Sequence, residues 1–211
     1  MIIEFHGFVG SGKSTVLAYM ARQLNSGKSA FGLSPRGRVF SSFPLPHCYK
    51  LVPEKLGFID ISNATLLIDE VSTYWDNRNF QNFLSETMMY FKLSRHYGID
   101  IAIASQSVTD ADKKIRQLVQ MSYIVEKLGC FSIVKPIEKY HSVASGVPVE
   151  KFRLGAPASW SVIYRPALYL DFDSFQAPAL PPAPAELWEC PQAVQAVRHG
   201  FHLPRLTAGQ K

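Results

Sequence analysis

Residues 7 to 14 read Gly-Phe-Val-Gly-Ser-Gly-Lys-Ser and fit G-x-x-x-x-G-K-[ST], the phosphate-binding loop. Glycines let a backbone wrap an anion, so that successive N–H groups point inward as a nest. A helix that opens at Lys13 aims the positive end of its dipole at the same anion. In such a loop Lys13 reaches the β- and γ-phosphates and the Ser14 hydroxyl holds Mg2+. The candidate nucleotide-binding residues are therefore Gly7, Gly10, Ser11, Gly12, Lys13, Ser14 and Thr15, and the implied cofactors are ATP and Mg2+.

The motif carries weight only between a strand and a helix, and the flanks supply both. Ile2 to Phe5 is a short apolar run just before the loop. From Ser14 to Leu24, Val16, Leu17, Met20 and Leu24 share one helical face. Asn25-Ser26-Gly27 ends that helix. Residues 28 to 37 read as a connection, and Arg38 to Phe43 as a second strand. Pro44, Pro46 and Pro53 then exclude a regular helix.

Thr65 to Val71 reads TLLIDEV, a continuous apolar run that climbs to two acids. That is the pattern of a buried parallel strand with charge at its carboxyl end, where ligands sit in open α/β sheets. Asp69 stands where a carboxylate completes the Mg2+ shell. Glu70 follows it and can deprotonate a water against the γ-phosphate. Neighbours on an extended chain point to different sides, which suits two roles. Asn79 to Tyr97 is helical in pattern and stops at Gly98. Asp100 to Ser107 is another buried strand. Its Gln106 either hydrogen-bonds the attacking water and γ-phosphate or simply marks a strand end. Asp110 to Gln120 is a short charged helix capped by Thr109 or Asp110. Within it, Arg116 is a surface residue, a finger into a neighbouring subunit's site, or a DNA-phosphate contact. Arg95-His96 sits where cations oppose a helix dipole.

Met121 to Glu126 is a further strand. Up to there the alternation of strands and helices predicts an α/β fold with a mostly parallel sheet flanked by helices. After Cys130 the grammar changes. Phe131 to Ile137, Lys139 to Val143 and Ser159 to Tyr164 read as short strands of a small antiparallel extension. The expected organisation is a P-loop NTPase domain over residues 1–175, with a β-rich extension at 128–170. A Pro-rich linker and tail follow at 176–211, in which Leu187 to Phe201 is either a frayed tail, the favoured reading, or a short helix. Cys48, Cys130 and Cys190 are widely spaced and odd in number, against a disulfide framework or a zinc site and in favour of a reducing compartment. The net charge of +5 permits contact with nucleic acid or anionic lipid without demanding it. No run of apolar residues is long enough to span a membrane.

GFVGSGKS near the start, LLIDEV, FKLSRHYGIDIAIASQS and DKKIRQLV together resemble the Zot (zonula occludens toxin-like) family of filamentous-phage assembly ATPases, akin to the phage gene I protein. The more specific residues are Arg95, His96, Gly98, Gln106, Ser107, Ile115 and Arg116. The resemblance implies a P-loop ATPase of the additional-strand, catalytic-glutamate type, related to FtsK–HerA pumps. Such proteins work as rings. The activity implied is ATP hydrolysis coupled to extrusion of single-stranded phage DNA, while coat protein is added at the cytoplasmic face of the host inner membrane. By motif match Lys13 and Ser14 hold nucleotide and Mg2+, Asp69 is the second Mg2+ residue, Glu70 the base and Gln106 the sensor; ring assembly makes Arg116, and secondarily Arg95, the finger candidates. Expected partners are further copies of the chain, phage coat or assembly proteins, single-stranded DNA and the host inner membrane. Family members continue into a membrane span and an extracytoplasmic part, and the sequence shows neither. A soluble DNA-packaging or DNA-transfer ATPase without a coat-protein partner is the alternative reading.

Overall fold

The computed structural model describes residues 1–75, 85–107, 113–144 and 147–172. In chain order the elements are β1 (Ile2–His6), α1 (Lys13–Asn25), β2 (Arg38–Ser41), β3 (Tyr49–Lys50), β4 (Ala64–Ile68), α2 (Ser85–Lys92), β5 (Asp100–Ser105), α3 (Lys113–Leu118), β6 (Met121–Leu128), β7 (Phe131–Ala144), β8 (Val147–Leu154) and β9 (Ser161–Tyr164). All the strands join one sheet in the order β3-β2-β4-β5-β1-β6-β7-β8, with β9 paired to β7. From β3 through β6 every pairing is parallel. β7 is antiparallel to β6, β8 and β9. This is the fold class expected from the sequence, a mostly parallel α/β sheet with an antiparallel extension.

Burial explains why the central strands read as unbroken apolar runs. All of β1, β4 and β5 is buried, as parallel strands covered on both faces must be. On one face α1 sets Val16, Leu17 and Met20 against Ile3, Phe5 and Tyr123. On the other, Phe91 of α2 and Ile115 of α3 join Leu66, Ile101 and Ile103. β5 lies between β1 and β4. The loop-bearing strand and the acid-bearing strand are therefore one strand apart, the additional-strand arrangement.

Several expected boundaries move. β2 stops at Ser41, β4 at Ile68 and β5 at Ser105, so the polar residues that follow lie beyond the ladder. The helix expected over Asn79 to Tyr97 is regular only to Lys92, with residues 76–84 outside the described ones. Its last turn tightens, with Ser94 N–H on the Phe91 carbonyl and His96 N–H on the Leu93 carbonyl. It then closes as a Schellman motif. Ile99 N–H bonds the Ser94 carbonyl at 2.8 Å and Gly98 N–H the Arg95 carbonyl at 3.1 Å, around Gly98 at φ 66°.

The extension also differs. Residues 131–144 form one strand rather than two, because Pro136 sits in the ladder opposite Tyr123 without breaking it. β8 was not expected at all. Its Pro148 argues against a strand interior, yet it falls next to the strand start, opposite Val143, where proline is tolerated.

Met1–Ser174 form one compact unit and Phe175–Lys211 a second. The second lies outside the described residues, and so do the Pro-rich linker, the Leu187–Phe201 stretch and the Thr109 or Asp110 cap. Among the described residues no helix is long and apolar enough to cross a membrane.

Candidate functional site

The site forms at the carboxyl edge of the parallel strands, where β1 gives way to the loop. Ser11 N–H bonds the Phe8 carbonyl at 3.1 Å, and Val16 N–H bonds the Gly12 carbonyl at 3.0 Å to start α1. Gly12 holds φ 101°, ψ 26° as the residue before the helix. A side chain there would be strained, and its Cβ would run into the Ser132 hydroxyl. Lys13 is buried, and its Nζ bonds the carbonyls of Gly7 at 2.8 Å and Phe8 at 3.3 Å. The ammonium is thus folded back along the loop it belongs to. Phe8 and Val9, at the tip, are 88% and 80% exposed. Ser11 and Thr15 are buried.

Ser14 meets Asp69. The Ser14 hydroxyl donates to Asp69 Oδ2 at 2.6 Å, across 55 residues of sequence and the width of β5. Burial pushes the Asp69 carboxyl up from its usual value. The Ser14 hydrogen bond opposes that shift, the Glu70 charge adds to it, and Lys13 counters it in part. Ser42, just past β2, joins the same corner, for its Oγ accepts the Asp69 N–H at 2.9 Å. A hydroxyl and a carboxylate oxygen in contact are hard donors of the kind Mg2+ takes. Ser14 and Asp69 therefore fit that ion.

Glu70 comes next in the chain. Its backbone is left-handed, at φ 50°, ψ 64°, a conformation that costs a non-glycine residue about 1 kcal/mol. Its N–H bonds Asp69 Oδ1 at 3.1 Å, while its carboxylate accepts the Ser72 hydroxyl at 2.8 Å. The two carboxylates thus have different side-chain partners, Ser14 for Asp69 and Ser72 for Glu70, on a backbone that has already left the extended strand. Gln106 lies one residue past β5, exposed, at the edge between β4 and β1. Arg116 is not gathered into this group. It lies on α3, on the sheet face opposite α1. Arg95 lines a cleft with Met1, Arg36 and Asp100 at the opposite end of the sheet.

Sequence reading missed three features. Ser132 at the start of β7 donates its hydroxyl to the Ser11 carbonyl at 3.3 Å. Arg165, just past β9, brings Nε to 3.5 Å from where a Gly12 Cβ would stand. Beneath the loop, Glu4, His6 and Ser105 are all buried. The Ser105 hydroxyl lies 2.8 Å from His6 Nδ1, 3.2 Å from Glu4 Oε1 and 3.0 Å from the Ser107 carbonyl. The i, i+2 spacing of Glu4 and His6 on a strand was the available signal for a shared face. Nothing local marks Ser132 or Arg165.

The loop, the strand order and the acid at the end of β4 define a P-loop NTPase fold of the additional-strand type. The family model described as zonular occludens toxin (Zot) matches residues 49–160, more than half of the chain. The protein belongs to the Zot family, as the motifs between Arg95 and Arg116 implied. In fold it is similar to the N-terminal domain of zonular occludens toxin from Neisseria meningitidis. The two are 17% identical, with 82% of this chain and 98% of that one covered at a TM-score of 0.53. Weaker overlaps occur with the genome packaging NTPase B204 of Sulfolobus turreted icosahedral virus 2 (15% identity, 61% and 75% covered, TM-score 0.46). Another is with EccC of Thermomonospora curvata (16% identity, 61% and 31% covered, TM-score 0.41). No curated protein matches the chain.

Proposed function

We propose that the protein is an ATP hydrolase of filamentous-phage assembly, which extrudes single-stranded phage DNA at the cytoplasmic face of the host inner membrane. The observation that carries the catalytic part is the contact between Ser14 and Asp69, because it joins the phosphate loop to the strand-end acid that a hydrolysing site needs. Membership of the Zot family supports the phage-assembly part.

In this reading the N–H groups of Gly10 to Ser14 cradle the phosphates and Lys13 neutralises their charge. Ser14 and Asp69 would hold Mg2+, which would supply positive charge against the β- and γ-phosphates. Glu70 accepts a proton as the water oxygen attacks the γ-phosphorus and ADP leaves. Ser72 donates its hydroxyl to the Glu70 carboxylate and orients it. Gln106 reports the γ-phosphate from the end of the intervening strand. Arg116, on the opposite face from α1, serves a neighbouring copy's site in a ring. Coat or assembly proteins and the membrane are the ring's partners.

The test is ATP turnover and solution mass, with and without single-stranded DNA, for the wild type, Lys13→Ala and Glu70→Gln. Lys13→Ala loses nucleotide binding. Glu70→Gln keeps binding and loses hydrolysis. Normal hydrolysis by Glu70→Gln would remove the glutamate from its role. A strictly monomeric protein, indifferent to DNA, would remove the motor.

A further inference from the structure

β9 is followed by an arginine that the rest of the fold delivers to the phosphate loop. β9 runs antiparallel to β7, and β7 antiparallel to β6, so β9 points the same way as β1. Its carboxyl end therefore reaches the sheet edge that carries the loop. There the Arg165 N–H bonds the Cys130 carbonyl at 3.0 Å. The turn over Arg165–Leu168 is tied to α1, with Leu168 in the core and Arg22 Nη1 donating to the Ala167 carbonyl at 3.1 Å. The backbone that presents the guanidinium is thus fixed in advance.

Among the described residues no carboxylate pairs with it. Arg165 Nε and Nη1 are shut off from solvent and have no hydrogen-bond partner among the described residues. Nε stands 3.5 Å from the Cβ position of Gly12. Two guanidinium nitrogens shut off from water with no acceptor are costly, and an anion beside Gly12 would offset that cost. The sheet order says which part of the anion. Ser14 and Asp69 mark the β4 side of β1, where the metal and the β- and γ-phosphates belong. Arg165 lies on the other side of β1, with β6 and β7. A phosphate chain whose γ end faces Asp69 turns its nucleoside end toward Arg165.

We propose that Arg165 is a nucleotide-binding residue that grips ATP and ADP from the nucleoside end, at the α-phosphate, in the same subunit that supplies the loop. This rests on the reading of the loop as an ATP site. A finger entering from a neighbour would act on the γ-phosphate and on turnover. A grip at the α-phosphate acts equally on substrate and product.

The test is calorimetric titration of the full chain with Mg-ADP, for the wild type, Arg165→Gln and Arg165→Lys, alongside steady-state ATP turnover and melting temperature. Losing one charge-assisted contact raises the ADP Kd about ten-fold or more in Arg165→Gln. Arg165→Lys recovers part of that loss, and kcat at saturating ATP changes by less than about three-fold. An unchanged ADP Kd in Arg165→Gln overturns the assignment. So does a fall in kcat with ADP affinity intact, which would place the residue at the γ-phosphate. Loss of affinity in variants that both melt far below the wild type overturns it too, making Arg165 a packing residue. Wild-type protein that binds no ADP sinks the ATP-site reading itself, an outcome distinct from wild-type binding that the variants share.

Discussion

The two sides of β1 reach the same site by different means. On the parallel side, β4 and β5 both end at the loop edge, and each ending supplies a polar residue: Asp69 and Glu70 from one, Gln106 from the other. On the antiparallel side strands alternate in direction, so the edge receives the start of β7, with Ser132, and the end of β9, with Arg165. The parallel side brings carboxylates and the antiparallel side a hydroxyl and a cation. A polyphosphate lying between them meets a metal-binding end and a cationic end. The parallel side is where bonds would break, and the antiparallel side is where the molecule would be held.

That division predicts kcat effects on one side and affinity effects on the other. The largest is expected for Glu70→Gln, with ATP turnover lowered by roughly a hundred-fold to ten-thousand-fold and ADP affinity unchanged in titration. An equal loss of ADP affinity would erase the distinction. Asp69→Asn also loses Mg2+-dependent turnover, by about a hundred-fold or more, and it carries a stability signature. The Asp69 carboxyl is raised chiefly by burial, so the folded protein holds that proton more tightly than the unfolded chain. Stability from this source is full below the usual carboxylate range and is lost as pH rises through the raised value. Asp69→Asn, uncharged throughout, should melt above the wild type at pH 7 without nucleotide, and the gap should close as pH falls into the usual carboxylate range. A gap that widens on acidification contradicts the burial argument.

Smaller effects follow from the supports. Ser42→Ala removes the acceptor of the Asp69 N–H and should cost about 1 kcal/mol in urea unfolding, with turnover reduced several-fold. Ser132→Ala removes only a long bond to the Ser11 carbonyl. It should raise the ADP Kd by about two-fold and leave kcat alone. A kcat loss in Ser132→Ala would blur the line drawn at β1.

What the sequence made legible follows from the range of each interaction. The loop and the buried strand that ends in Asp69-Glu70 are local patterns, fixed by glycine geometry and by burial on both faces. The additional strand was read from resemblance, and the ladder bears it out. Helix α2 was drawn too long because its apolar spacing runs on past Lys92, while a tightened turn and the Gly98 motif end it by hydrogen bonds that leave no trace in periodicity. Pro136 and Pro148 both sit in ladders of the antiparallel extension. One sits inside a strand that was divided near it, the other near the start of a strand that was not read at all. Arg165 was invisible because its partner, Gly12, lies at the other end of the domain in sequence. Two antiparallel turns bring them together, and no motif announces such a meeting.

The uneven pairing of β7 has a consequence of its own. Residues 131–137 are bonded to β6, and residues 131–134 also to β9, whereas beyond Ile137 the strand is bonded to β8 alone. Seven residues, about 23 Å at 3.3 Å each, thus leave the sheet as a two-stranded ribbon at the end away from the loop. Ribbons of two strands are marginal in water. Amide exchange should therefore slow and quicken along a single strand, with Ile133 and Val134 opening only with the whole domain and Ser142 and Val143 exchanging ahead of it. The site is anchored at the slow end, so motion in the ribbon can be large without disturbing the residues around the phosphates.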